Sequence, residues 1–235
     1  MRRTGCMLLI LTLLLPVLAG NAQAVDLNIN SKSALLMDKN TGTILYEKNA
    51  HDRLAPASVT KIMTMLLIME AVDSGKIAYD DTVTASEAAA AKGGSQVYLK
   101  AGETMTVRDM LKSIAVSSAN DCACAMAEHL AGSEDAFAVK MNQKAQKLHM
   151  THTVFKNCTG LPCTGHVSTA RDVAVMSREL LKHDLYFRWS TLWTDAITHP
   201  KDGRQTGLVN TNKLIRSLAG CDGLKTGYTS SAGHC

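Results

Sequence analysis

The hydrophobic pattern divides the chain into an apolar leader, two short strand-like segments, a long block of helical periodicity, and strand character again toward the end. Met7 to Ala19 is apolar apart from Thr12 and Pro16; it follows Arg2 and Arg3 and precedes Ala22-Gln23-Ala24. A basic start, a short apolar run and small residues before a cleavage point predict a secretory leader over residues 1–24. The run is short for a permanent bilayer span. Ser33 to Met37 and Thr43 to Tyr46 predict two strands joined at Asp38-Lys39-Asn40-Thr41-Gly42, where Gly42 can take the left-handed conformation that closes a hairpin. Two strands alone are marginal, so they are expected to belong to a larger sheet.

From Ile62 to Val72 apolar residues occupy nearly every side of a helical wheel, which predicts a helix buried in the middle of a domain and ending near Ser74-Gly75. Thr106 with Asp109 caps a helix through Leu111 and Ile114, and a second helix runs from Asp121 to Leu130. Ser117 to Asn120 is then a polar link held between two helices. Ser133 opens a helix with Phe137, Met141, Ala145 and Leu148 on its core face, and Thr169 with Asp172 opens another through Val173, Met176 and Leu180. Strand character returns at Thr206 to Val209 and Gly223 to Thr229. The expected fold class is α/β of the α+β kind: an antiparallel sheet built from both chain ends, covered by helices, with an inserted all-helical subdomain. No glycine-rich fingerprint sits between a strand and a helix, which excludes a dinucleotide-binding reading.

The 235 residues carry a formal charge of +4, and removing Arg2 and Arg3 with the leader leaves +2. That balance, with no basic tail or aromatic-basic interleaving, gives no footprint for nucleic acid. Six cysteines lie beyond the leader: Cys122, Cys124, Cys158, Cys163, Cys221 and Cys235. Cys158 and Cys163 flank a Thr-Gly-Leu-Pro turn and are the candidate disulfide pair, whereas Cys122 and Cys124 point apart on a helix. No histidine spacing completes a metal site, so no metal or cofactor is expected. The eight histidines are scattered and read as surface or ordinary polar contacts.

Chemistry gathers at Ser58-Val59-Thr60-Lys61, where a serine and a lysine share one helix face at the mouth of the apolar helix. A lysine there is expensive to desolvate without a task, and its neutral form could deprotonate the serine. Two further stretches follow in order: Ser118-Ala119-Asn120 between helices, and Lys225-Thr226-Gly227 in a strand-like segment. Ser-x-x-Lys alone is common, but the ordered triplet is the set found in penicillin-binding proteins and related lactamases.

On these residues the chain resembles the serine D-Ala-D-Ala carboxypeptidases, the low-molecular-mass penicillin-binding proteins, and especially their sporulation-associated branch. The likeness runs from Ser33 to Cys235 and includes Leu54-Ala55-Pro56-Ala57-Ser58, Asn157 with Thr159-Gly160-Leu161, Ser168 to Asp172, and Asn210 to Leu214. The resemblance implies that peptidoglycan stem peptides ending in D-Ala-D-Ala are the substrate and that β-lactams act as covalent inhibitors. It makes Ser58 the nucleophile, Lys61 the general base, Ser118 a proton relay, and Asn120 a contact to the substrate amide or to Lys61. Lys225 keeps the network electropositive. Lys225 and Thr226 meet the terminal carboxylate, Gly227 lets the strand edge approach, and the N–H groups of Ser58 and Tyr228 form the oxyanion hole. The implied location is the cell envelope, outside the cytoplasmic membrane.

Family members usually continue beyond Lys-Thr-Gly with a further strand and helix, a small β-rich domain and a membrane-surface helix. The chain is therefore expected to be a leader (1–24) followed by a catalytic domain (25–235) that is C-terminally truncated and poorly stable, with membrane association only through the missing helix. No Glu-x-x-Leu-Asn segment of the type used for deacylation by class A lactamases lies between Asn120 and Lys225, which favours the carboxypeptidase. A lactamase or esterase on the same scaffold, and an inactive protein binding cell-wall peptides, are the alternatives.

Overall fold

The structure is a computed structural model that describes residues 27–235; the leader over residues 1–24 lies outside the described residues. Strands β1 (Ala34–Met37) and β2 (Ile44–Lys48) form the expected antiparallel hairpin. Its turn is tied by the Asp38 carboxylate, which accepts the N–H groups of Asn40 and Thr41. Gly42 sits there at φ +77°. A 3-10 turn, Ala57–Thr60, then feeds α1 (Lys61–Asp73). As the apolar wheel requires, α1 is buried on almost all sides, with Met63, Met65, Leu66 and Ile68 fully covered.

The middle of the chain is helical but not purely so. Strand β3 (Thr82–Thr84) precedes α2 (Glu87–Ala90) and pairs antiparallel with β4 (Thr104–Thr106). There follow α3 (Val107–Ser117), α4 (Asn120–Ala131), α5 (Glu134–Lys147) and α6 (Ala170–Leu180). The sequence-derived caps hold: Thr106, Ser133 and Thr169 accept the N–H groups of Asp109, Ala136 and Asp172. Each satisfies one of the donors a helix start leaves open. Small residues along α4 (Ala123, Cys124, Ala125 and Ala127) are all buried and let α3 and α5 pack closely on either side.

Beyond α6 come α7 (Phe187–Ser190) and the hairpin of β5 (Thr194–Thr198) with β6 (Gln205–Val209). Only Ile197 and Leu208 of that hairpin are buried, so β5 shows no alternation to betray it. Buried His199 and Glu103 pair with each other, and His199 also meets Thr206 Oγ1 at 2.8 Å, fastening the hairpin to the loop before β4. A short α8 (Leu214–Ser217) and the two-residue strands β7 (Tyr228–Thr229) and β8 (Gly233–His234) complete the described residues.

Both chain ends thus supply antiparallel strands covered by helices, in four two-stranded ladders. The β1–β2 and β7–β8 hairpins face one groove of about 880 Å3, lined among others by Leu35, Met37, Val59, Ile62, Val173 and Cys235. The groove separates them, and no ladder joins the two hairpins among the described residues. No described helix is long and apolar enough to cross a membrane.

Candidate active site

Ser58 lies in the 3-10 turn rather than on α1 itself, while Lys61 is the first residue of α1. The i, i+3 alignment survives because a 3-10 turn has three residues per turn and stacks such positions. Lys61 Nζ stands 3.1 Å from Ser58 Oγ. The residue before the serine, Ala57, is buried and has φ +46°, a conformation that strains a side-chain-bearing residue. The surroundings hold it there. Leu54 and Ser168 exchange backbone hydrogen bonds upstream, and a Cβ on Gly160 would lie 1.7 Å from the Ala57 carbonyl oxygen.

Lys61 is completely buried and donates to the Thr159 carbonyl at 2.7 Å. Burial drives its pKa well below the ordinary 10.5; the nearby Lys225 charge pushes the same way, against weaker opposition from Cys158 and Asp121. The Thr159 carbonyl is aimed by Asn157, whose Oδ1 accepts the N–H groups of Thr159 at 3.2 Å and Gly160 at 2.7 Å.

Ser118 caps α3 in the left-handed conformation, φ +63°, and Asn120 begins α4. The Asn120 backbone N–H donates to Ser95 at 2.7 Å and its Nδ2 to the Gly93 carbonyl at 2.6 Å. Among the described residues, Ser118 Oγ and Asn120 Oδ1 are buried without a protein partner. Buried polar atoms are rarely left so.

The Lys225-Thr226-Gly227 segment precedes β7, and Gly227 exchanges backbone hydrogen bonds with Cys235. Lys225 is buried, donates to the Thr226 carbonyl at 2.9 Å and to Thr211 Oγ1 at 3.4 Å, and burial lowers its pKa to about 8. Thr226 Oγ1 donates to Thr211 Oγ1 at 2.7 Å, and the Thr211 N–H reaches the Val116 carbonyl at the end of α3. Gly227 packs directly on the serine turn: a Cβ there would lie 2.9 Å from the Ser58 backbone nitrogen. The Tyr228 side chain is exposed and lies against the His234 ring. Gly227, about one hundred and seventy residues away, thus lies against Ser58, and the charges of Lys225 and Asp121 act on Lys61.

A family model described as D-alanyl-D-alanine carboxypeptidase matches residues 19–235. The chain belongs to that family. It is 51% identical over 210 residues to the D-alanyl-D-alanine carboxypeptidase DacF of Bacillus subtilis, covering 89% of this chain and 54% of that protein. The chain spans about half the length of the curated relatives it matches. The crystal structure of the D-alanyl-D-alanine carboxypeptidase DacD from Francisella tularensis superposes with a TM-score of 0.85 at 29% identity, over 91% of this chain and 63% of that one. Penicillin-binding protein D2 from Listeria monocytogenes, in its ampicillin-bound form, superposes with a TM-score of 0.77 at 32% identity, over 89% of this chain and 84% of that one. The fold is therefore the serine β-lactamase and penicillin-binding-protein type.

The structure adds residues to which sequence reading gave no role: Ala57, Asn157, Thr159, Gly160, Thr211 and His166. Thr159 acts through its carbonyl, which no side-chain pattern encodes. His166 is buried and makes ordinary polar contacts, one of the two readings the histidines allowed. The Lys156 N–H donates to its Nδ1, so Nε2 carries the proton and donates to Thr60 Oγ1 at 2.8 Å. Burial lowers its pKa from 6.5 to about 4, because a site out of water disfavours the charged imidazolium. The folded state then binds fewer protons than the unfolded one between pH 6.5 and 4. This contribution to stability is complete above pH 6.5 and is lost as pH falls through that window, on the order of 3 kcal/mol at most. Urea unfolding at pH 7 and pH 4.5 should show this loss, and His166→Gln should flatten the difference; an unchanged pH dependence in the variant would contradict the assignment.

Proposed function

We propose that this chain carries the active site of a serine D-Ala-D-Ala carboxypeptidase acting on peptidoglycan stem peptides. The observation that carries the reading is Lys61, fully buried, 3.1 Å from Ser58 Oγ and driven toward its neutral form. A neutral amine there takes the Ser58 proton as Oγ attacks the penultimate D-Ala carbonyl. Charge developing on the carbonyl oxygen is met by the N–H groups of Ser58 and Tyr228. Ser118 passes a proton to the departing D-Ala amine, and Asn120 holds the peptide amide. Water then hydrolyses the acyl-enzyme. Lys225 and Thr226 receive the terminal carboxylate, one by charge and one by hydroxyl. The known ampicillin complex of the Listeria relative supports β-lactams as acylating agents here. The site's place in the cell envelope, outside the membrane, and the division into a leader and a catalytic domain from Val25 belong to the same proposal.

The test is D-Ala release from diacyl-Lys-D-Ala-D-Ala, which the chain should catalyse and Ser58→Ala should not; release surviving in the variant overturns the reading. Lys225 adds a pH limb. Its charge is needed for the carboxylate and is lost as pH rises through about 8, so acylation by a chromogenic cephalosporin should decline above that point. Arginine does not titrate there, so Lys225→Arg should remove the decline whatever its cost to the absolute rate. A decline unchanged in the variant would assign the limb to another group.

A further inference from the structure

The candidate pair of cysteines is not joined: Cys158 is fully buried, Cys163 is exposed, and both are free thiols. Cys158 turns instead to the first residue of α5. Its backbone N–H donates to Glu134 Oε1 at 3.2 Å and its Sγ to the same oxygen at 3.1 Å. The other carboxylate oxygen, Oε2, takes the Lys92 ammonium. Each end of this pair adjoins a backbone group that holds a site residue. Lys92 precedes Gly93, whose carbonyl accepts Asn120 Nδ2 at 2.6 Å, and Ser95 just beyond accepts the Asn120 N–H at 2.7 Å. Cys158 precedes Thr159, whose carbonyl accepts Lys61 Nζ at 2.7 Å. A line of hydrogen bonds and two peptide links therefore runs from Asn120 through Gly93, Lys92, Glu134, Cys158 and Thr159 to Lys61.

The ion pair in the middle of that line is not an ordinary surface pair. The Lys92 and Glu134 side chains are only 23% and 18% exposed, so solvent screens them weakly. Burial works against both charges, yet their mutual hydrogen bond prevails, holding the Lys92 pKa above and the Glu134 pKa below the ordinary values; the Cys158 donors add to the effect on Glu134. The two segments also approach each other directly: a Cβ on Gly94 would lie 3.6 Å from Leu161 Cδ2 and 2.7 Å from Asn120 Nδ2. Resting on the reading of Lys61 as base and Asn120 as holder of the peptide amide, we propose that the Lys92–Glu134 pair is a positioning device. It fixes the segment that orients Asn120 against the segment that presents Thr159 to Lys61. Both residues act through the backbone of their neighbours and are positioning rather than catalytic residues.

One readout needs no chemistry: amide hydrogen exchange of the full chain, followed by mass spectrometry. Lys92→Met should lose protection in both segments, 93–99 and 157–161. The second readout is acylation at saturating benzylpenicillin, counted per folded molecule. Lys92→Met should be about tenfold slower, since small displacements of a base or an orienting group cost that much or more. Lys92→Arg keeps a cationic donor opposite Oε2 and should return to within about threefold of wild type. The double variant Lys92→Glu with Glu134→Lys restores an ion pair but places an ammonium, which accepts no hydrogen bond, beside the Cys158 N–H; it should stay slow. Unchanged protection in either segment, a Lys92→Met rate within about twofold of wild type, or full rescue by the double variant overturns the proposal. So does a rate loss that a parallel thermal melt accounts for entirely as unfolded protein. Lost protection in both segments of Lys92→Met, with no Ser58 adduct in the wild type, would leave the bridge standing and remove the carboxypeptidase reading instead.

Discussion

Lys61→Met should slow acylation by benzylpenicillin by ~10³-fold or more while leaving the protein folded, the loss expected when a positioned general base is removed beside a serine. Methionine matches the length of the lysine stem and removes a charge that sits fully out of water. Deleting a buried, partly neutralised ammonium relieves a desolvation cost, offset by the Thr159 carbonyl losing its 2.7 Å donor. The melting temperature is therefore expected to stay within a few degrees of wild type. Rapid-quench labelling alongside a thermal melt separates the two quantities. Acylation within tenfold of wild type would remove Lys61 from the role of base, and a collapse of the melt would make it a structural residue.

Gly227→Ala should reduce acylation by ~10²-fold, comparable to losing one oxyanion-hole donor. The added methyl would meet the Ser58 nitrogen at 2.9 Å, Ala57 Cβ at 3.0 Å and the Val59 nitrogen at 3.2 Å. None of these is the flexible end of a side chain, so the Lys225–Tyr228 segment must move off the serine turn. Gly207 is the control: a Cβ there meets nothing within 4 Å and its backbone is not in the left-handed region. Gly207→Ala should leave acylation within about twofold of wild type, because exposed sites without a special role tolerate change. Equal effects at the two glycines would show that close approach at Gly227 is not what matters.

How much of this was legible in the sequence follows from how local each signal is. The α1 helix announces itself through uninterrupted apolar residues, and the caps at Thr106, Ser133 and Thr169 through pairs three residues apart. Ser58 and Lys61 were legible as neighbours for the same reason, although the turn between them is 3-10 rather than α. Strand β5 was not, since four of its five side chains are exposed and no alternation exists to read. The convergence of Lys225 on Lys61 and of Gly227 on the Ser58 amide is tertiary. Only the ordered triplet of motifs, not any local pattern, pointed to it. The cysteines are the clearest miss: proximity in sequence favoured Cys158 with Cys163, whereas Cys158 is buried against Glu134 at the start of α5 and Cys163 is exposed, both as free thiols.

The geometry also explains why the strained Ala57 conformation persists. Gly160 closes against its carbonyl from one side and Gly227 against the following amide from the other. The backbone of Ser58 is thus held between two glycines, and Lys61 Nζ meets its Oγ at 3.1 Å, the kind of preorganisation that the proposed acyl transfer needs.

Locating the covalent adduct left by benzylpenicillin tests the role of Ser58 directly. One penicilloyl group per chain is expected on the peptide spanning residues 54–61, absent in Ser58→Ala and formed far more slowly in Lys61→Met. An adduct on any other residue, or D-Ala release that continues with Ser58 unmodified and replaceable, would contradict it.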